Sequence, residues 1–178
     1  MIKMVKEVNG ILEYWEIWFN DASKEFFIHY GKVGDTGHHY TKKKRFGQNT
    51  EKYMSKIAEE QIEKGFAYLD EESLIQVVIQ FKTNGEEEVH EDLDLRYKVE
   101  GLMNECLGWT GNGYCDGGDY GSGTMNVFCH VVDLTKAVIT IVDELKKNNL
   151  LNGALIGHME SDEHLTDFPT KGERMDLV

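Results

Sequence analysis

Between Gly108 and Gly123 the chain reads Gly-Trp-Thr-Gly-Asn-Gly-Tyr-Cys-Asp-Gly-Gly-Asp-Tyr-Gly-Ser-Gly, a stretch holding seven of its eighteen glycines. Asp116 and Asp119 flank Gly117-Gly118, and hard divalent cations take carboxylate and carbonyl oxygens from flexible segments of this kind. Two carboxylates without a bidentate glutamate make a poor cage, and aspartates in turns commonly accept from local backbone amides instead. Trp109 and Tyr120 add ring faces, so Trp109, Asp116, Asp119 and Tyr120 are the ligand candidates of the stretch. A phosphate cradle is disfavoured. The run follows a helical pattern instead of opening one, lacks a Gly-Lys-Ser/Thr step, and carries two carboxylates that repel phosphate.

The thiols and imidazoles offer less. Cys115, Cys129 and His130 approach one another if 114–116 pairs with 124–132, and Cys106 ends the helical pattern before them. Neighbours on a strand point to opposite sides, so Cys129 and His130 cannot both turn towards one zinc ion, and buried thiols are expected. His38-His39, with His29, lacks a nearby cysteine or carboxylate cluster. No nucleophile, base and oxyanion set assembles from spacing, so a non-enzymatic protein without a cofactor is expected.

The elements that must carry these residues fall into two halves. The chain has 178 residues, 40% of them hydrophobic, enough for packed cores, and a net charge of −13. Charges cancel over 1–70, so the whole excess lies in 71–178. An acidic second half repels nucleic acid and anionic membranes, which confines any nucleic-acid contact to 1–70 and leaves a basic protein as the partner of 74–161. No apolar run is long enough to span a bilayer and no signal core follows the N-terminus, so a cytoplasmic chain without a membrane partner is expected. Three cysteines without close pairing fit reduced thiols. The oligomeric state stays open, a dimer included.

In the first half, aromatic and β-branched residues over Leu12 to Phe19 and Phe26 to Val33 predict two strands, and a third runs from His38 to Phe46. Asn20 to Ser23 and Gly34 to Gly37 are the turns. Thr50 is the expected cap for a helix placing Met54, Ile57, Ala58, Gln61 and Ile62 on one face and ending at Gly65. Lys42-Lys43-Lys44-Arg45 sits on the third strand. Alternation lets at most two of the four line one surface, and lysines on an edge strand also guard against sheet association.

Tyr14-Trp15-Glu16-Ile17, then Tyr30-Gly31-Lys32-Val33-Gly34 with Gly37 behind, a basic strand and a helix closing on Lys64-Gly65-Phe66 together resemble a WGR domain over roughly residues 10–70. In that family the Trp-Gly-Arg triplet ends a strand. In poly(ADP-ribose) polymerases the module helps to contact DNA and neighbouring domains, and it also occurs in bacterial proteins labelled molybdate metabolism regulators. Here the triplet is Tyr30-Gly31-Lys32. Tyrosine keeps a stacking face, whereas lysine lacks the bidentate fork of arginine. The resemblance makes Tyr30, Gly31, Lys32, Lys42, Lys44 and Arg45 the candidate contacts to nucleic acid or a protein partner.

In the second half, Leu74 to Phe81 suits a buried strand. An acidic segment from Glu86 to Asp94 leads into a helix placing Leu95, Val99, Leu102, Met103 and Cys106 on one face. After the glycine-rich stretch come a strand from Thr124, a helix capped by Asp133 with Leu134, Ala137, Val138, Ile141, Val142 and Leu145 on one face, and a strand over Gly153 to Met159. The order β-α-β-β-α-β is the ferredoxin-like arrangement. The expected fold class is thus α+β: an antiparallel WGR-like sheet with one helix at 1–70, a ferredoxin-like βαββαβ domain at 74–161 and a polar tail at 162–178. Gly117 to Gly123 is expected to turn the central hairpin.

Overall fold

The computed structural model describes residues 1–83, 89–161 and 163–175. It is an α+β protein with two antiparallel five-stranded sheets and three helices among the described residues.

The first sheet has the order β4-β3-β2-β1-β5. Its members are β1 (Ile2–Val8), β2 (Ile11–Asn20), β3 (Glu25–Lys32), β4 (His38–Lys43) and β5 (Ala67–Tyr68). Both β1 and β5 go beyond the three-stranded meander expected from sequence. Asn9-Gly10, with φ of 52° and 77°, forms the two-residue turn between β1 and β2 and fixes the pairing Val8↔Ile11. Positive φ at both turn residues matches the twist of the flanking strands, which is why Asn-Gly is favoured there.

Helix α1 (Thr50–Ile62) is capped by Asn49, one residue before the expected Thr50, whose side chain accepts from the Lys52 N–H. It packs on one face of the sheet, where Met4, Trp15, Ile17, Phe26 and Ile28 close a core with Ala58. Burial of each large side chain there contributes about 1.5–3 kcal/mol. The opposite face carries Tyr14, Glu16 and Trp18 of β2, because side chains alternate along a strand. Tyr14 to Ile17 are all buried, so both faces of β2 are covered.

A connector over 69–74 leads to the second sheet, ordered β10-β9-β6-β8-β7. It comprises β6 (Ile75–Lys82), β7 (Gly113–Gly121), β8 (Thr124–Val131), β9 (Leu155–Glu160) and β10 (Glu163–Phe168). Helices α2 (Val89–Trp109) and α3 (Leu134–Lys147) share one face of it. Val99, Met103 and Leu107 of α2 and Ala137, Ile141 and Leu145 of α3 join Val77, Ile79, Val127 and Ile156 in one core. Asp133 caps α3 as expected, accepting from the Lys136 N–H, and Lys146 and Lys147 lie in its last turn. The expected acidic start at Glu86 to Glu88 lies outside the described residues.

Two expectations are corrected. Helix α2 runs to Trp109, so Gly108 and Trp109 are helical and not part of a loop. Gly117 to Gly121 belongs to β7 with a register shift between Cys115 and Gly118, and the hairpin turns at Ser122-Gly123 alone. The polar segment beyond 161, for which at most one short edge strand was expected, supplies that strand: β10 pairs with β9, and Met175 is buried with its N–H bonded to the His164 carbonyl at 2.8 Å.

Candidate functional site

One row of directly opposed residues crosses the first sheet on the face away from α1: His39, His29, Glu16 and Lys3 on β4, β3, β2 and β1. His29 Nδ1 lies 2.7 Å from Glu16 Oε1, and His29 Nε2 lies 2.8 Å from the Tyr14 hydroxyl. A carboxylate only accepts, so Nδ1–H donates to Glu16, leaving Nε2 to accept the Tyr14 O–H. The Gly37 N–H in turn reaches the Tyr14 oxygen. Lys3 Nζ makes a longer 3.6 Å contact with Glu16 Oε2. Tyr14, Glu16 and His29 are all buried, so each polar atom needs a partner, and this chain supplies them.

Glycines make room for the Tyr14 ring. A Cβ at Gly31 would lie 2.9 Å from Gly37 Cα and 3.3 Å from the ring, and one at Gly37 would overlap the hydroxyl. From the second unit, Gly111 at φ 59° packs against the same ring so closely that a Cβ would strike it. Gly31 therefore has a packing reason here.

A histidine between a carboxylate and a hydroxyl is the geometry of an activated nucleophile, but Tyr14 does not behave as one. Burial, with the Glu16 charge beside it, holds the phenol well above its ordinary pKa, so its proton is retained. With no exposed surface, the hydroxyl cannot reach a substrate. The row instead fixes the seam between the units. Trp109 stands edge-on to His29 and His39, with ring centroids 5.0 and 5.4 Å away. Beyond it, the Gly34 N–H donates to the Thr110 carbonyl at 2.8 Å and Lys136 Nζ to the Val33 carbonyl at 2.8 Å.

Beside this seam is a cleft of about 670 Å³ lined by both units and the connector. Ile2, Lys3, Glu16, Trp18 and His29 form one wall, Trp109, Gly113 and Tyr114 the other, and Tyr68, Glu71 and Leu74 border it. Burial lowers the Lys3 pKa from its ordinary value, and Glu16 offsets only part of that.

The candidates of the first unit gather at the opposite edge of its sheet. Every residue of β4 is exposed. Tyr30 is 41% and Tyr40 51% exposed, with ring centroids 6.4 Å apart, and His38 lies 5.9 Å from Tyr30. Register puts Tyr30, Tyr40 and Lys42 on the α1 side, with Lys32 two residues beyond Tyr30, whereas Lys43 points the other way. Lys42 and Lys44 lay their ammonium groups 5.3 Å from the Tyr53 and Phe19 rings, and Arg45 lies past the strand end.

The glycine-rich candidates are dispersed. Trp109 lines the cleft and donates its indole N–H to Glu105 at 3.1 Å. Asp116 lies 3.9 Å from His130 Nε2, and Asp119 accepts from Asn126 Nδ2 at 2.7 Å. Tyr120 is tied to Asp92 of α2 at 3.4 Å, and Arg96 donates to the Gly118 carbonyl at 3.0 Å. The stretch is thus pinned to α2 and not presented as an open loop. Among the described residues no cluster of three or more His, Cys, Asp or Glu side chains could hold a metal ion. Cys115 and Cys129 face each other across β7 and β8 on the helix-covered side, while His130 stacks on Tyr114 at 5.4 Å on the other.

Sequence reasoning passed over Lys3, Tyr14, Glu16 and the use made of His29. Their signal is the alternation that puts positions 14, 16 and 18 on one face of β2, but only the pairing register joins Glu16 to both His29 and Lys3. No helix of the described residues is long and apolar enough to cross a membrane. Comparison with protein-family models, curated proteins and solved structures finds no match.

Proposed function

We propose that the protein is a non-enzymatic, cytoplasmic binding protein whose first unit is a divergent WGR-like module contacting single-stranded nucleic acid along β4. The observation that carries this reading is the pair of exposed rings, Tyr30 of β3 and Tyr40 of the edge strand β4, 6.4 Å apart on one face of the sheet, with Lys32 and Lys42 on that face and Lys44 and Arg45 just past the strand end. Exposed rings give bases a stacking face worth about 1–3 kcal/mol each, and the surrounding cations follow the phosphate backbone. In the same reading the second unit is a ferredoxin-like domain with β10 added at its edge, supported by the order β9-β6-β8-β7 and by two helices on one face. Its acidic surface keeps the strand on the first unit and is the place for a basic protein to dock.

The test is fluorescence anisotropy of a labelled single-stranded oligonucleotide titrated with the full chain at low salt. Binding that weakens linearly in log salt is expected. No binding at low salt removes nucleic acid and leaves the β4 edge to a protein partner that adds a strand to it.

A further inference from the structure

Away from β4, the cleft between the units combines a hydrophobic lining with one buried cation. Trp18, Trp109 and Tyr114 supply aromatic surface from both units, and Ile2 and Leu74 add aliphatic surface. At about 670 Å³ it lies within the range of pockets that enclose drug-sized molecules. Lys3 is the single lysine or arginine among the lining residues, and its side chain is only 12% exposed.

The electrostatics of Lys3 are incomplete. An ammonium has three donors, and Lys3 meets one carboxylate oxygen at 3.6 Å while the other oxygen of Glu16 is taken by His29 at 2.7 Å. Among the described residues its remaining interaction is with the face of the Tyr14 ring, 5.9 Å from Nζ to its centroid. An anion brought to Lys3 would gain charge-assisted hydrogen bonds in surroundings of low polarity, where they are stronger than in water. The borders limit how much charge that anion carries. Glu71 and Glu105 line the cleft in addition to Glu16 beside Lys3, so a phosphorylated or multiply charged ligand would be repelled where a single carboxylate needs only Lys3.

We propose that this cleft binds a small aromatic monocarboxylate, its ring enclosed by Trp18, Trp109 and Tyr114 and its carboxylate bonded to the Lys3 ammonium. The affinity comes from apolar ring burial and the selectivity from one buried cation. Because two of the walls are tryptophans, binding reports itself in the intrinsic fluorescence.

The experiment titrates the full chain with 2-naphthoate, its uncharged amide and 2-naphthylmethylammonium, followed by calorimetry and tryptophan fluorescence. Saturable binding of 2-naphthoate is expected, with the amide about tenfold weaker or more, the loss of a hydrogen bond to a charged group. The ammonium compound is expected to bind no better than the amide. Lys3→Met, which keeps the aliphatic stem, should bring naphthoate down to the affinity of the amide with an unchanged circular dichroism spectrum. Trp18→Leu should weaken acid and amide alike. Equal affinity for acid and amide, preference for the ammonium compound, or no binding of any of the three overturns the proposal. These comparisons are made on the parent protein, so they decide even if Lys3→Met fails to fold, and the β4 edge takes no part in them.

Discussion

Trp109, the last residue of α2, stands edge-on to His29 of β3 with ring centroids 5.0 Å apart and planes at 69°. A helix end in one unit thereby covers a buried imidazole in the other. With Glu16 and Tyr14 on its two nitrogens, His29 is held on three sides, and the seam is defined by polar groups as much as by packing. The predictions below probe that seam, the β4 edge and the thiols in turn.

Tyr14→Phe keeps the ring but leaves His29 Nε2 and the Gly37 N–H without their shared partner in a dry interior. A loss of about 1–3 kcal/mol in unfolding free energy is expected from urea titration. An unchanged midpoint would mean that the row does not support the fold.

Gly111→Ala combines two faults. Its φ of 59° disfavours a side chain, and the added Cβ strikes the Tyr14 ring. Strain of this kind is worth about 1–3 kcal/mol. Calorimetry should show a lower melting temperature, with the single transition broadening or splitting as the units uncouple; a parental thermogram would contradict the close approach.

The alkaline limb of stability should carry two opposite signatures. Tyr14 keeps its proton in the fold above 10.0, the ordinary value of a phenol, so above that pH the unfolded chain binds fewer protons and stability falls as pH rises. Lys3 is lowered from 10.5, so below that pH the unfolded chain binds more protons and stability rises with pH. Urea midpoints measured from pH 8 to 11 should fall less steeply in Tyr14→Phe, the remaining fall coming from the raised Tyr40, Tyr114 and Cys106, and rise less in Lys3→Met. Two curves parallel to the parent's would refute both assignments.

At the β4 edge, Tyr30→Ala and Tyr40→Ala should each weaken single-stranded nucleic-acid binding by about 1–3 kcal/mol with little change in salt slope. Lys42→Ala, on the face that carries the rings, should instead flatten that slope by roughly 0.7 of a unit, the share of one phosphate contact on a single strand. Swapped behaviour would mean that the rings and lysines do not divide the work this way.

Burial pushes the Cys106 thiol up to about 12, with the Glu144 charge adding to it. The nucleophile is the thiolate, so alkylation of the native chain by iodoacetamide at pH 8 should leave Cys106 unmodified, and peptide mass mapping should find it labelled only after denaturation. Rapid native labelling would show that the thiol is more open than its packing implies.

Helix α3 was legible because every cue agreed: Asp133 at its start, Leu134 to Leu145 at helical spacing and two lysines at its end. Strands β2 and β3 were legible from their aromatic and β-branched residues. β1 was missed although Asn9-Gly10 is a strong turn signal, because Ile2 to Val8 mixes charged and apolar residues that make sense only against β2. The glycine-rich stretch misled for a physical reason. Glycine density reads as loop, yet Gly113 and Gly118 sit in β7 where a Cβ would meet the backbone of β8. The cleft was beyond sequence altogether, since its walls are about a hundred residues apart and meet only through the pairing of whole units.

The connector over 69–74, exposed at 70–73, and the crossings at Val33 and Gly34 join the same two bodies at separate places. The chain therefore closes a circuit, covalent at one point and hydrogen-bonded at the other. A protease that nicks the connector would break only the covalent side, and the two fragments would still travel together until Tyr14, Gly111 and Trp109 let go.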